Sequence, residues 1–300
     1  MDPFVSLKTD MVPPLITVAM PVLNGGADVC LAALSIVKQS FADWELLIYD
    51  DGSTDGSLLP IAKWGDPRIH IFRDGITKGL AARLNEAIDQ ARGRYFARMD
   101  HDDVSFPDRF SRQLHILQKD PNLDVLAVRA ITIDTTNSAT GIFPYALSHD
   151  DICAKPWRGF YFPHPTWMGK TAWFRKHRYS EPAPYCCEDQ ELLLRSYRES
   201  KFGMLDEVLF AYRVREFVDS EKLYKTRAAV LVMQCQQFFK SRSFFWVFLA
   251  LIVFLMKVLS DLFKRKRLNS FKPESKFHDQ VLLDQWDQVL HQLTWVSQSA

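Results

Sequence analysis

Arg94-Tyr95-Phe96-Ala97-Arg98-Met99-Asp100-His101-Asp102-Asp103 is a short, largely apolar run that ends in three carboxylates within four residues. Such a cluster repels itself, and a fold keeps it where a cation or a positively charged ligand group offsets the repulsion. Carboxylate oxygens at the carboxyl end of a buried strand suit a hard divalent ion, Mg²⁺ or Mn²⁺, which would in turn hold the phosphates of a substrate. Taken alone, the stretch reads equally as a solvated acidic turn, because Ser105-Phe106-Pro107-Asp108 looks like a helix start. The surrounding sequence has to separate the two readings.

Upstream, strand and helix patterns alternate. Leu15-Ile16-Thr17-Val18-Ala19-Met20 is nearly continuous in apolar character and ends at Pro21 and Asn24-Gly25-Gly26. A helix is predicted over 28–39 and a second strand over 44–49, ended by Asp50-Asp51-Gly52. Ser53-Thr54-Asp55-Gly56-Ser57 offers several N-caps for a helix reaching Trp64. A third strand over 69–72 precedes a helix over 80–91 that carries Leu80, Leu84, Ala87 and Ile88 on one face. The fourth strand is 95–99 and the next helix 107–119. Four βα units with short loops predict a Rossmann-like, mostly parallel sheet with helices on both faces. Such sheets bind ligands at the carboxyl ends of their strands. The loops at 21–24, 50–51 and 100–103 all follow strands on that edge, which favours a site over a solvated turn.

The 300 residues, 47% hydrophobic and 24% charged, describe an ordinary folded protein large enough for one α/β domain with additions or two small domains. The net charge of +1 carries no global nucleic-acid footprint. It is uneven, however. Lys240, Arg242, Lys257, Lys264, Arg265, Lys266 and Arg267 face one acid, Asp261, between 240 and 267. Cys30, Cys153, Cys186, Cys187 and Cys235 form no metal-binding spacing, and their odd count argues for reduced thiols. The first fourteen residues hold no apolar run, so no signal peptide is expected and the chain is placed on the cytoplasmic side.

Beyond Val128 the pattern loosens, with many prolines and aromatics over 130–185 and then a helix over 188–200 that turns Leu192, Leu193 and Tyr197 inward. The C-terminal region differs in kind. Residues 244–256 are apolar without a break, about 20 Å as a helix against the roughly 30 Å of a bilayer core. Extension to Phe263 adds Lys257, Ser260 and Asp261, which with Lys264 make a single polar stripe. The expectation is membrane association by an interfacial helix, with a single span left open and Lys264-Arg265-Lys266-Arg267 suited to anionic headgroups. The alternative is a buried core helix followed by a basic turn. A tail helix with Leu282, Trp286, Val289, Leu290 and Leu293 on one face packs on the domain or on the same surface.

Five motifs then stand in order: Val18-Ala19-Met20-Pro21-Val22-Leu23-Asn24, Asp50-Asp51-Gly52-Ser53-Thr54-Asp55, Gly79-Leu80-Ala81-Ala82-Arg83-Leu84-Asn85, Arg98-Met99-Asp100-His101-Asp102-Asp103, and Pro107-Asp108-Arg109. With His164-Pro165 and Glu188-Asp189-Gln190-Glu191-Leu192 to Arg195, they resemble the family-two inverting glycosyltransferases of GT-A fold over about residues 15–215. The resemblance implies nucleotide contacts at Pro21, Asn24, Asp51 and Asp100, with Asp51 at the base edge. It implies a Mg²⁺ or Mn²⁺ ion on Asp102, supported by Asp100, and a catalytic base at Asp189. Asp103, His164, Glu188 and Arg195 are further candidate substrate contacts. Lys78 and Arg83 read as a solvated helix face in preference to phosphate ligands, and His101 as a bystander.

Two features depart from the family pattern. Leu23 stands where many relatives carry an aromatic, which leaves the base less defined. No Gln-x-x-Arg-Trp follows Asp189, which favours transfer of one sugar per encounter over polymer synthesis. The expected organisation is an arm (1–14), a GT-A domain (15–220, with a nucleotide-binding half to 128 and an acceptor half from 129), and a helical membrane-associated extension (221–300, with its apolar segment at 244–263). The expected partners are a uridine-linked nucleotide-sugar donor, a glycan or lipid-linked acceptor and a membrane surface, with no nucleic acid. Two rivals remain at this point. A nucleotidyltransferase needs a basic, glycine-rich loop after the first strand, and residues 21–27 contain no Lys or Arg. A non-catalytic assembly scaffold has no need of the acids at 51, 100, 102 and 189.

Overall fold

The computed structural model describes residues 12–214, 220–267 and 279–297. Most of the expected N-terminal arm therefore lies outside the described residues. Strand β1 (Ile16–Val22) is buried at every position, as a parallel strand covered on both faces must be. It is followed by α1 (Asp28–Val37), β2 (Trp44–Asp50), α2 (Leu59–Ala62), β3 (Ile69–Arg73), α3 (Leu80–Gln90) and β4 (Tyr95–Arg98). These strands pair in parallel, β2 with β1 and β3, and β1 with β4. The predicted βα units are present. The one that differs is α2, a single turn that stops short of Trp64. Its expected caps are committed elsewhere: Ser53 Oγ accepts from Asn24 N–H, and Asp55 accepts from Gly26 N–H and Ser57 N–H.

The second half mixes directions. It contains β5 (Val104–Ser105), α4 (Arg109–Lys119), β6 (Val125–Ile133), β7 (Ala139–Ile142), α5 (His149–Cys153), a 3₁₀ turn (His164–Thr166), β8 (Met168–Lys170), α6 (Thr171–His177), α7 (Glu188–Ser196) and β9 (Phe202–Arg213). The sheet order is β3-β2-β1-β4-β8-β6-β9-β5, with β7 on β6. Strand β8 enters antiparallel between β4 and β6, whereas β9 runs parallel to β6. Strand β5 pairs antiparallel with β9, Val104 opposite Ala211, and this brings the end of β9 to the acidic loop. The α7 helix ends at Ser196, four residues before the expected end.

Helices cover both faces of the sheet. Ile16, Val18 and Met20 of β1 pack with α1 and α4, while Ala19 and Leu47 pack with α3, α6 and α7. Three helices complete the chain: α8 (Ser220–Lys240), α9 (Phe244–Arg267) and α10 (Gln280–Ser297). The tail helix α10 packs back on the domain. Trp286 is buried, stacks on Phe106 with ring centroids 5.9 Å apart, and donates its indole N–H to Asn137 O at 2.8 Å.

Helix α9 is neither a core helix nor an amphipathic helix with its polar stripe in water. Phe244–Asp261 has mean hydropathy 2.1 and is long and apolar enough to cross a membrane, yet only 6% of it is buried. Two residues of its polar stripe turn toward the domain. Lys257 Nζ donates to Arg158 O at 3.3 Å, and Asp261 pairs with Arg227 of α8 at 2.8 Å. Phe244, Phe245, Phe248, Leu251, Ile252, Leu255, Met256 and Leu259 are left exposed on the other side. The side chains of Lys264-Arg265-Lys266-Arg267 lie outside the described residues.

Candidate active site

At the carboxyl edge of the sheet, β2 delivers Asp50 and Asp51. Both are buried and both are engaged by protein. Asp50 accepts from Ser53 N–H at 2.7 Å and pairs with Arg73 at 3.1 Å. Asp51 accepts from the backbone N–H groups of Lys78 (2.7 Å) and Gly79 (3.0 Å) and from Arg83 Nε (2.9 Å). The turn needs glycine after them: Gly52 has φ +85°, and a Cβ there would meet Thr77 Oγ1 at 2.8 Å. Asn24, at φ +51°, joins this turn to the first loop, its Oδ1 accepting from Thr54 N–H and its N–H donating to Ser53 Oγ.

Arg83 corrects the sequence expectation. It is 2% exposed and pairs with Asp51, Asp74 (2.6 Å) and Glu86 (2.8 Å), while also donating to Ile76 O. Lys78 pairs with Asp74 and Glu86 on the outer side of the same network. Removing one partner of a buried ion pair costs about 3–5 kcal/mol, less where the remaining acids are exposed. Asp74 and Glu86 are about one-third exposed, so the Asp51 pairing dominates. Arg83→Met is expected to cost about 3 kcal/mol, read by urea unfolding.

The acidic loop follows β4. Asp100 accepts from Arg98 Nη1 at 2.6 Å and is partly exposed. One carboxylate oxygen from each of Asp100, Asp102 and Asp103 lies within 4.8 Å of the others. Asp103 faces inward. It is 2% exposed, its Oδ1 accepts from Arg213 N–H at 2.7 Å, and its Oδ2 is buried without a hydrogen-bond partner. Burial and the charges on Asp100 and Asp102 push its carboxyl well above the usual carboxylate range. Three convergent oxygen donors with one orphaned buried oxygen fit a hard divalent cation. Arg213 braces the loop from β9, donating to Asp102 O and to Asp134 O. His101 lies against the first loop, its ring 3.3 Å from where a Cβ on Gly25 would sit.

The third group stands at the start of α7. Glu188 and Asp189 are partly buried, and both carboxyls are pushed up, Glu188 by burial and by the Asp189 charge, Asp189 chiefly by burial. Gln190 Nε2 donates to Asp189 Oδ2 at 3.1 Å and also to Phe160 O, while its Oε1 accepts from Phe160 N–H. The buried Arg98 guanidinium acts electrostatically on Asp100, Glu188 and Asp189 together. Its charge is therefore felt at both the acidic loop and the start of α7.

Some of the expected contact residues also have structural duties. Pro21 is buried within β1, opposite Tyr49, so its side chain is packing. Arg195 pairs with Glu191 and donates to the carbonyls of His177 and Arg178, which fastens α7 to α6. His164 is buried, its Nε2 2.7 Å from Tyr179 Oη and its ring edge-on to Trp167. Burial holds its imidazole well below the usual histidine range. Arg98 stood in a quoted motif without a role, and Arg213 was not singled out from the sequence. Both sit at the ends of strands that reach the acidic cluster, and a strand-end arginine beside clustered carboxylates is the signal that could have found them.

A family model for glycosyl transferase family 2 matches residues 17–178, which contain the three edge loops. The chain belongs to this family. EpsE of Bacillus subtilis, described as a glycosyltransferase, is 32% identical over 231 residues, covering 74% of this chain and 81% of EpsE. The Escherichia coli UDP-Glc:alpha-D-GlcNAc-diphosphoundecaprenol beta-1,3-glucosyltransferase WfgD is 31% identical over 105 residues, 35% of this chain and 42% of WfgD. The chain thus spans under half the length of that relative. Among solved structures, S. aureus TarS in complex with UDP-GlcNAc superposes with a TM-score of 0.58 at 19% identity, over 93% of this chain and 80% of TarS. The glycosyltransferase family accounts for the edge on which the acids gather, and the GT-A fold is the one observed.

Proposed function

We propose that this glycosyltransferase moves a single sugar from a nucleotide-diphosphate sugar, uridine-linked, onto an acceptor hydroxyl with inversion at the anomeric carbon. The observation that carries the reading is the convergence of two acidic groups on one buried cation. Asp100 bonds Arg98, and Arg98 is also the positive charge that Glu188 and Asp189 share. UDP-GlcNAc in TarS and the UDP-Glc in the name of WfgD support a uridine donor.

Asp102 and Asp100 would hold a Mg²⁺ or Mn²⁺ ion, which supplies Lewis-acid neutralisation of the donor diphosphate. The edge loops do the rest of the donor work. Asp51, held by Lys78, Gly79 and Arg83, presents a fixed acceptor toward the imide N–H of the base, with Asn24 beside it. Asp189 takes the acceptor proton as the hydroxyl oxygen attacks from the face opposite the nucleotide. Its raised pKa brings it nearer the working pH of a general base. Glu188 lies beside it, 3.9 Å from His164 Nδ1.

This assignment has a pH consequence. A raised base pKa means that kcat/KM falls on acidification at a pH above the ordinary carboxylate range, because the base becomes protonated there. Gln190→Ala removes the Nε2 donor that holds the Asp189 pKa down, so the acid limb should move to higher pH. A pH profile of kcat/KM checks this, and an unmoved limb would assign the titration elsewhere. The donor and stereochemistry are tested by nucleotide release over a panel of UDP- and GDP-sugars, followed by the anomeric coupling of the product in proton NMR. Release from a UDP-sugar and an inverted anomer are expected.

The acceptor is a glycan or a lipid-linked saccharide at the cytoplasmic face of the membrane. The exposed apolar side of α9, with its domain-facing Lys257 and Asp261, would lie on that surface without crossing it. The diphosphoundecaprenol in the name of WfgD supports a lipid-linked class.

A further inference from the structure

Helices α8 and α9 and the 157–158 loop enclose a groove of about 250 Å³ that the donor chemistry does not use. Leu223, Val230, Val253 and Phe254 make its walls apolar. Three cations open onto it, Arg158, Arg227 and Lys257. Asp261 is the acid that answers them, through Arg227 Nη2. Arg227 Nη1 is buried without a hydrogen-bond partner. Lys257 Nζ reaches a carbonyl, Arg158 O, at 3.3 Å. Burial and the charges of Arg227 and Arg158 draw its pKa below the usual lysine range. An apolar groove with surplus positive charge and an orphaned guanidinium N–H is built for an anion.

The groove also connects to the candidate base. Gln234 of α8 donates to Pro156 O at 2.8 Å, and Trp157 and Arg158 line the groove. The chain then turns at Gly159 (φ +101°) to Phe160, whose N–H and C=O are both bonded by Gln190, the residue that also donates to Asp189. The helix that supplies Lys257 carries the exposed apolar face. An anionic head in the groove and hydrocarbon along α9 together describe an amphipathic ligand, which neither a soluble anion nor an apolar protein face would match.

We propose that the groove between α8 and α9 holds the terminal phosphate monoester of a membrane lipid, whose hydrocarbon lies against the exposed face of α9. Its role as the acceptor carrier rests on the sugar-transfer reading; the lipid site itself does not. The test is flotation of the full-length protein with three kinds of vesicle: phosphatidylcholine alone, phosphatidylcholine with phosphatidylglycerol, and phosphatidylcholine with a polyprenyl phosphate. Binding to the polyprenyl phosphate vesicles is expected to be about tenfold tighter than to either of the others. Arg158→Ala and Lys257→Ala, whose side chains open to the groove mouth, should each remove most of that preference while the thermal midpoint stays unchanged. Equal binding to phosphatidylglycerol vesicles would reduce the site to general membrane electrostatics and overturn the proposal. So would inorganic phosphate binding with no vesicle preference, or a preference that survives both variants. A dimer that covers α9 and binds no vesicle, seen by sedimentation, would assign the face to a second copy. UDP titration of the wild type reads the donor site separately: its failure would strike the sugar-transfer reading and leave the lipid result standing.

Discussion

Asp189→Asn is expected to lower kcat for sugar transfer by about 10³-fold while leaving UDP affinity within about twofold, since general-base contributions run to 10²–10⁴. The substitution keeps the shape at the start of α7 and the bond from Gln190, because an amide oxygen still accepts from Gln190 Nε2. It removes the ability to take a proton. Asp189 stands apart in sequence from the loops that would hold the nucleotide, so donor binding has no reason to change. Steady-state kinetics with the donor found by the panel, together with calorimetric UDP titration, separate the two effects. A parallel loss of UDP affinity would move Asp189 from proton transfer into donor binding. Retained transfer would place the base elsewhere.

Asp102→Asn is expected to abolish the cation dependence of UDP binding and to reduce transfer by at least about 10²-fold, since neutralising phosphoryl charge is worth several kcal/mol. Asn keeps a neutral oxygen ligand but withdraws a negative charge from a cluster of three carboxylates. The Arg98–Asp100 bond and the Arg213 braces are untouched by this change, because Arg213 meets Asp102 through its carbonyl. The variant should therefore fold normally and lose function selectively. Manganese titration of UDP affinity in both proteins is the measurement. A preserved manganese response would shift the principal ligand to Asp100 or Asp103.

The architecture was legible where the physics is local. Continuous apolar runs such as Ile16–Val22 announce buried parallel strands, and turn residues such as Asn24 and Gly52 mark their ends. Because those ends share an edge, the three acidic and amide loops could be gathered from the sequence alone. What escaped depends on long-range pairing. Arg213 reaches Asp103 only because β9 inserts beside β5, an arrangement no local periodicity encodes. Arg83 looked like an ordinary helix-surface arginine until Asp51, 32 positions earlier, closed on its Nε. Asp103 and Arg195 carry roles that motif position does not encode: one turns a buried oxygen into the acidic cluster and the other fastens helices together. The polar stripe of α9 was legible from its period, but the direction it faces was not. Its partner Arg227 lies on a separate helix, and the stripe turned to meet it.

The most direct test of the central claim is nucleotide release by the wild-type protein from nucleotide sugars, with Mn²⁺, after chelation, and after Mn²⁺ is restored. The account predicts release of UDP from a UDP-sugar that stops on chelation and returns with the cation. Release unaffected by chelation, or formation of pyrophosphate from a nucleoside triphosphate and a sugar phosphate in place of UDP release, would contradict it.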